Sequence, residues 1–408
     1  MNNIFGRDTA PQPDNRPKSS SRLREIFAVS LKLGLTSFGG PVAHLGYFRE
    51  EYVRRRKWID ERDYGELVAL CQFLPGPASS QVGMGIGMMR GGVAGALLAW
   101  AGFTLPSVAL MILFALLLQT FDASGAGWIH GLKIAAVAVV AQAVLGMGRS
   151  LAPDRTRAAI AVLAACAVLL GQTAFSQISV IAAAAVAGMI LYRKTQADSV
   201  PGLRVPIGKK FAACCLIAFF ALLALLPLLR SVVDNEALNL FDGFYRSGAL
   251  VFGGGHVVLP LLEREVVPTG FVNASDFLSG YAAAQAVPGP LFTFAAYLGM
   301  IGGGWSGALI CTVAVFLPAF LLVAGALPFW SRVNRSPGIR AAVKGANAAV
   351  VGILLAALYD PVWISAVGSS ADFALAALLF VLLNFCKLPA WAIAAAGAAV
   401  GELFGLLF

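Results

Sequence analysis

Charge is what this sequence lacks most. Lys, Arg, Asp and Glu together make up 12% of its 408 residues, about half of the roughly 25% usual in soluble domains. With 59% apolar residues and a mean hydropathy of +0.79, this excludes a soluble fold, because no soluble domain of this size hides so much apolar surface. Nucleic acid is excluded as a partner too. The net charge of +9 comes from short basic stretches between apolar runs, the pattern of membrane anchoring. Histidine is scarce, with His44, His130 and His256 the only three. None of the six cysteines stands in a CxxC or Cys/His ligand spacing, so neither a metal site nor a disulfide framework is expected. No GxxxxGK[ST] run occurs, which removes a P-loop ATPase. No Ser–His–Asp set or matched pair of catalytic carboxylates appears, so neither an enzyme nor a cofactor is expected. Residues 1–21 are polar, carry Pro11, Pro13 and Pro17, and have no apolar core. They read as a disordered cytoplasmic tail and not as a signal peptide.

What is present is a series of thirteen apolar runs. They lie near 26–48, 64–90, 92–120, 128–148, 158–171, 176–192, 211–229, 244–262, 277–301, 304–330, 339–359, 361–385 and 388–408. A helix needs about 20 apolar residues to cross a hydrocarbon core of about 30 Å. The runs at 92–120, 128–148, 211–229, 304–330, 339–359 and 388–408 meet that easily. Those at 158–171 and 176–192 are short, and 26–48, 64–90, 244–262 and 277–301 are interrupted by Gly and Pro. The fold class is therefore an all-α polytopic membrane protein with the lipid bilayer as its solvent. Arg193, Lys194, Arg204, Lys209 and Lys210, with Pro201 and Pro206, mark 193–210 as the one clear linker.

The runs repeat. Phe38-Gly39-Gly40 recurs as Phe252-Gly253-Gly254, 214 residues on, and Gln72-x-x-Pro75-Gly76-Pro77 recurs as Gln285-x-x-Pro288-Gly289-Pro290, 213 residues on. Gly91-Gly92-x-x-Gly95 matches Gly303-Gly304-x-x-Gly307, and Lys133 matches Lys344. So slow a drift in offset marks a true internal repeat. The layout reads as a tail at 1–21, repeat 1 at 22–192, a linker with one linking transmembrane helix at 193–236, and repeat 2 at 237–408. Basic residues concentrate in the tail, 149–157, 193–210 and 331–340, whereas 121–127 and 231–242 are acidic. By the positive-inside rule the first group is cytoplasmic and the second external. Repeat 2 is then inverted with respect to repeat 1, as in many secondary transporters. The basic stretch 49–63 fits that rule best if the four interrupted runs are re-entrant hairpins; the alternative is thirteen full crossings with kinked helices.

Broken helices at membrane depth survive only where they line a cavity or are buried in protein. Pro-Gly-Pro ends one helix and starts the next, and the second proline suits the first helical position. The amides that follow, at Ala78, Ser79 and Ser80 and at Leu291, Phe292 and Thr293, are orphan donors at a positive dipole end, which attracts anions. The hydroxyls of Ser79, Ser80 and Thr293 and the amides of Gln72 and Gln285 add donors, and Gly39, Gly40, Gly253 and Gly254 permit close backbone approach. Lys32 and Arg246 each lie six residues before a tip phenylalanine. Each is either a cation for a small oxyanion or a side chain snorkelling to the interface, and Lys133 and Lys344 read more simply as snorkelling. His44 and His256 each follow a Gly-Gly tip. Either is a proton-linked ligand or an interior imidazole with its bonds satisfied, and the second reading is the expected one.

These elements together resemble the chromate ion transporter (CHR) family, long-chain two-repeat type. The resemblance rests on Phe38-Gly39-Gly40-Pro41-x-x-His44, on Trp58 followed by Gln72-x-x-Pro75-Gly76-Pro77, on Phe252-Gly253-Gly254-Gly255-His256-Val257-Val258-Leu259-Pro260, and on Gln285-x-x-Pro288-Gly289-Pro290. It covers the chain after the tail. It implies export of chromate from the bacterial cytoplasm across the inner membrane, with sulfate as the competing dianion. The candidate site is then Lys32, Gly39, Gly40, His44, Gln72, Pro75, Gly76, Pro77, Ser79 and Ser80 in repeat 1, with Arg246, Gly253, Gly254, His256, Gln285, Pro288, Gly289, Pro290 and Thr293 in repeat 2. A carrier is the leading reading. An anion channel of the same architecture is the alternative, and a membrane enzyme acting on lipid-linked substrates is the weakest. The coupling ion and the oligomeric state stay open, a homodimer included.

Overall fold

The computed structural model describes residues 19–38, 40–121, 126–171, 176–192, 207–233, 235–252, 255–330 and 336–407. Gly39, Gly253, Gly254, nearly all of the expected tail and most of the linker lie outside these. The described residues form helices and no strands. Repeat 1 runs through α1 (Ser19–Thr36), α2 (Gly40–Phe48), a π turn (Arg49–Arg55), α3 (Glu61–Phe73), α4 (Ala78–Phe121), α5 (Gly127–Leu151), α6 (Arg155–Leu170) and α7 (Ser176–Tyr192). α8 (Lys209–Val232) follows. Repeat 2 runs through α9 (Glu236–Ala249), α10 (Val258–Val266), α11 (Ala274–Ala286), α12 (Phe294–Ala326), α13 (Pro337–Ala357), α14 (Ser370–Asn384) and α15 (Ala390–Leu407).

The two repeats are built by the same local devices. Asp60 caps α3 by accepting the Asp63 amide, and Asn273 caps α11 by accepting the Asp276 amide. Each side-chain oxygen satisfies one of the orphan amides at a helix start. α4 and α12 are each two helices joined at a glycine in the same conformation: Gly92 has φ 61° and ψ −151°, and Gly304 has φ 60° and ψ −151°. Only glycine occupies that region without strain. The backbone of Gly87 packs on that of Gly95, and Gly299 on Gly307. Residues eight apart would be separated by about 12 Å along a straight helix, so the chain reverses at each glycine.

Two ion pairs trace the hairpins of repeat 1. Glu25, near the start of α1, holds Arg56 at 2.9 Å and Arg90 at 3.1 Å. The chain therefore leaves the Glu25 end along α1, returns to it through α2, leaves again along α3 and returns along the first arm of α4. Arg90 also lies over the Trp58 ring, 4.2 Å from its centroid. In repeat 2 Trp58 and Arg90 correspond to Phe271 and Gly302, and Phe271 packs directly on Gly302. The interrupted runs are thus paired hairpins that dip in and turn back, as the basic stretch 49–63 suggested.

The repeats interlock. α5 lies antiparallel to α15, with Gly127 on Gly401 and Gly131 on Gly397, and α7 lies antiparallel to α13, with Gly188 and Ala184 on Gly345. Glycine lets these backbones touch, the usual device for packing helices in lipid. Two cores result. One joins the hairpins of repeat 1 to Leu321–Leu327 of α12. The other joins the hairpins of repeat 2 to Met111–Leu118 of α4 and to α5. α8 sits outside, against α9 and α12, and Tyr245 donates its hydroxyl to the Phe219 carbonyl at 3.0 Å. As the single helix between two such units, it supplies the odd crossing that inverts the second.

Among the described residues, five helical stretches are long and apolar enough to cross a membrane: Ala78–Thr120, Gly127–Leu151, Lys209–Val232, Leu291–Phe329 and Pro337–Ala366. Residues 361–385 do not form one helix, because the chain breaks at Asp360-Pro361 and α14 starts only at Ser370. A capping box between Ser369 and Asp372 sets that start. In the loop before α6, Asp154 accepts the Arg157 amide and pairs with its guanidinium, which holds the Asp154 carboxyl below its usual range.

Candidate functional site

The four hairpin tips meet. The Gly76 amide donates to the Val251 carbonyl at 2.6 Å, and the Gly289 amide donates to the Ser37 carbonyl at 2.9 Å. Each Pro-Gly-Pro of one repeat is therefore tied to the Phe-Gly-Gly tip of the other. Gly76 and Gly289 have φ of 118° and 94°, which a side-chain-bearing residue rarely adopts. The Ser107 hydroxyl donates to the Pro288 carbonyl from the second arm of α4, and Ala319 packs on Gly76 at the matching place in α12. Pro77, Pro288 and Pro290 are buried and Pro75 is half-buried.

Around this junction repeat 1 carries a set of buried polar atoms without partners. They are the hydroxyls of Ser37, Ser80 and Thr104, both ring nitrogens of His44, and the Gln81 side-chain carbonyl. All five residues are 0–1% exposed. Ser79 beside them is buried as well. Gln81 spends its amide on the Pro75 carbonyl at 2.8 Å, so it closes the Pro-Gly-Pro turn with one end and leaves the other free. The His44 ring stands edge-on to Phe103, with centroids 5.5 Å apart, and Thr104 follows Phe103. The Ser37 backbone approaches the same ring without completing a hydrogen bond. Phe48 of α2 packs on Phe103 and beside Gly83 of α4. One turn towards the tip from Phe48 is His44, and one turn towards the tip from Gly83 is Ser80. The three arms therefore bring His44, Ser80 and Thr104 level with the start of α4. Its first amides are unbonded within the helix and point the positive dipole end the same way.

Repeat 2 differs at each of these places. Ser37, Gln81, Thr104 and Ser107 correspond to Val251, Phe294, Phe316 and Ala319. Ser80 corresponds to Thr293, whose hydroxyl donates to Pro290 at 2.9 Å. His256 meets the Tyr281 hydroxyl at 3.0 Å and the Gln285 amide at 3.3 Å. The interior-imidazole expectation therefore describes His256, whereas the His44 ring nitrogens complete no hydrogen bond to a described residue. Val68 stands where Tyr281 does, so the hydroxyl that meets His256 has no counterpart at that position of repeat 1. Gln72, expected to donate at the tip, is exposed and has no hydrogen bond to a described residue.

Lys32 and Arg246, expected either as site cations or as snorkelling side chains, both form ion pairs. Lys32 pairs with Glu51 at 3.0 Å, and Arg246 pairs with Glu265 at 2.9 Å, each partner nineteen residues further on. Arg246 also holds Asp242 at 3.0 Å, and Arg230 approaches both acids. These are matched clamps between the arms of the first hairpin in each repeat. Lys133 donates to the Ser275 hydroxyl, and Lys344 lies over the Tyr192 ring. A cavity of about 290 Å³ beside Arg230 and Glu265, and another of about 360 Å³ beside Glu263, Arg264 and Asp360, lie away from the tips.

Ser37, Gln81 and Thr104 escaped the sequence reading, which followed only what the repeats share. The signal that finds them is the opposite one: polar residues of one copy that stand where the other copy is apolar. Chemically, the junction offers buried hydroxyl, imidazole and helix-start donors with no ion-paired side chain among them. It suits a small, hydrogen-bond-accepting anion.

The sequence pattern of the chromate transporter family matches residues 24–189 and 238–402, one stretch in each repeat. The chain is 32% identical over 347 residues to the chromate transport protein of Pseudomonas aeruginosa, covering 82% of this chain and 80% of that one. It is 29% identical over 410 residues to the chromate transport protein of Cupriavidus metallidurans, covering 96% and 97%. The uncharacterized transporter YwrA of Bacillus subtilis is 30% identical over 169 residues, which span 93% of it and 39% of this chain, so its length is about that of one repeat. No solved structure matches the chain. With both repeats matched and two-repeat relatives aligned along most of their length, the chain belongs to the chromate transporter family.

Proposed function

We propose that this protein is a secondary carrier that exports chromate across the bacterial cytoplasmic membrane, with its N-terminus in the cytoplasm and sulfate as a competing dianion. The observation that carries the reading is the group of buried polar side chains around the start of α4 that have no partner among the described residues. An anion held there would replace its water with hydroxyl, imidazole and amide donors. Two relatives named as chromate transport proteins supply the choice of anion. Ser37, His44, Ser79, Ser80 and Thr104 contact the anion in this reading, and Gln81 closes the Pro-Gly-Pro turn beside it. Gly40, Pro75, Gly76 and Pro77, with Pro288, Gly289 and Pro290, shape the junction. Lys32 and Arg246 act as clamps, and His256, Gln285 and Thr293 complete the repeat 2 framework.

Orientation follows from charge. Arg7, Arg16, Lys18, Arg22 and Arg24 precede or open α1, and the Arg54–Lys57 run returns to the same end, which suits the cytoplasmic face. The driving force is the membrane potential, the proton gradient or both. A potential of about 100 mV is worth about 2.3 kcal/mol per charge. A departing dianion therefore gains about 4.6 kcal/mol, roughly a thousandfold gradient.

The test is uptake of labelled chromate into everted vesicles, with the potential and the pH gradient collapsed separately. Saturable uptake that competes with sulfate and falls when either gradient is removed supports the carrier. Uptake equal to that of vesicles without the protein sinks the reading, and non-saturating flux with unitary currents makes it a channel.

A further inference from the structure

The junction contains one group that can change its charge, and its surroundings define when it does so. His44 is 1% exposed, and neither ring nitrogen completes a hydrogen bond to a described residue. An imidazolium enclosed without a counter-charge or acceptor costs several kcal/mol, so the empty site holds a neutral ring. A dianion seated at the start of α4 reverses that balance, because an adjacent negative charge favours the protonated form.

The charged groups on the elements packed around α2 are already engaged with one another at the Glu25 end. Glu51 binds Lys32 and Arg56, Glu50 binds Arg54 and Arg55, Glu25 binds Arg90, and Glu61 binds Arg49. On α3 the Tyr64 hydroxyl donates to the Leu45 carbonyl, Glu66 accepts from Trp330, and Cys71 is a buried free thiol. Arg62 and Asp63 lie in the first turn of α3, one exposed and one half-exposed, at the end of that helix away from the tip. Tyr52 on the π turn shares its hydroxyl with Ser30. None of these supplies a free charge at the tip.

We propose that His44 takes up one proton from water as the oxyanion binds, so that the dianion crosses with a protonated imidazole beside it. The step forms one N–H bond on the ring nitrogen that is unprotonated in the neutral state and breaks no other bond. Both ring nitrogens then donate, one to the anion and the other to the anion or to the neighbouring Ser37 backbone. The seat lies in repeat 1 alone, since His256 is held by Tyr281 and Gln285. This inference rests on the oxyanion reading above and adds the residue that would link transport to protons.

The chain has only three histidines, which makes the test direct. The full-length protein, purified in detergent and labelled with ¹³C at histidine Cε1, is titrated with potassium chromate, and separately with sulfate, at mildly alkaline pH, where each anion carries no proton. Calorimetry in buffers of different ionisation enthalpy runs in parallel. The expected result is anion binding with uptake of about one proton per anion. One of three imidazole signals moves to the imidazolium position, and the H44Q variant lacks that signal and binds without proton uptake. If H44Q does not fold, H130Q and H256Q assign the moving signal by elimination. Chromate binding that leaves all three imidazoles unchanged, or that moves His130 or His256, overturns the proposal. Absence of chromate binding by the wild-type protein overturns the oxyanion reading itself.

Discussion

Lys32 reaches Glu51 across the first hairpin at 3.0 Å, and Arg246 reaches Glu265 in the same way in the second repeat. The two pairs are equivalent by sequence position but not by consequence. Glu51 also binds Arg56 at 2.8 Å, and Lys32 is half exposed. Lys32→Ala is therefore expected to cost about 1 kcal/mol or less and to leave chromate uptake intact. Thermal unfolding in detergent and vesicle uptake check both parts; loss of uptake in a well-folded Lys32→Ala protein returns this cation to the site.

Arg246→Ala should behave differently. It leaves Asp242, whose side chain is 1% exposed, with only the longer 3.5 Å contact to Arg230. Removing one partner from such a buried cluster costs about 3–5 kcal/mol. The expected outcome is low yield and a depressed unfolding temperature, partly recovered by Arg246→Lys. A variant as stable as the wild type would show that the cluster is not structural.

Single-site anion binding makes an asymmetric prediction. Ser37→Ala, Ser80→Ala and Thr104→Val each remove one donor, and a hydrogen bond to a charged group is worth about 1.5–3 kcal/mol, or about 10- to 100-fold in affinity. Thr293→Val, at the place in repeat 2 that matches Ser80, should change affinity by no more than about twofold, since its hydroxyl is already bonded to Pro290. Equal losses in both repeats would mean two seats, one in each copy. Titration calorimetry with chromate reads these affinities.

Gly92→Ala and Gly304→Ala test the reversal points. A Cβ at either position meets nothing within 4 Å, so the cost is backbone strain alone, about 1–3 kcal/mol. Both variants should unfold at lower temperature by similar amounts, because their dihedral angles agree within a degree. A neutral Gly92→Ala beside a damaging Gly304→Ala would show that the two turns carry different loads.

Much of this organisation was readable before any coordinates. Pro-Gly-Pro and Gly-Gly constrain the backbone where they stand, so the breaks, the repeat and the re-entrant hairpins declare themselves locally. The ion pairs of Lys32 and Arg246 did not. Their counter-charges lie nineteen residues away, on the returning arm of a hairpin whose register is set by packing.

By itself the sequence determined a membrane protein of two like halves, broken at matched places, with a basic entry and one helix between the halves. These follow from solvent, backbone sterics and charge, which act on each stretch independently of the rest. Only the tertiary structure decided that the four tips bond to one another across the repeats, and that repeat 1 leaves its polar groups unpartnered while repeat 2 pairs or replaces them. Whether a buried histidine is satisfied depends on which side chain packs opposite, and that Tyr281 and Gln285 meet His256 while Phe103 stands beside His44 is a difference that no local rule reveals.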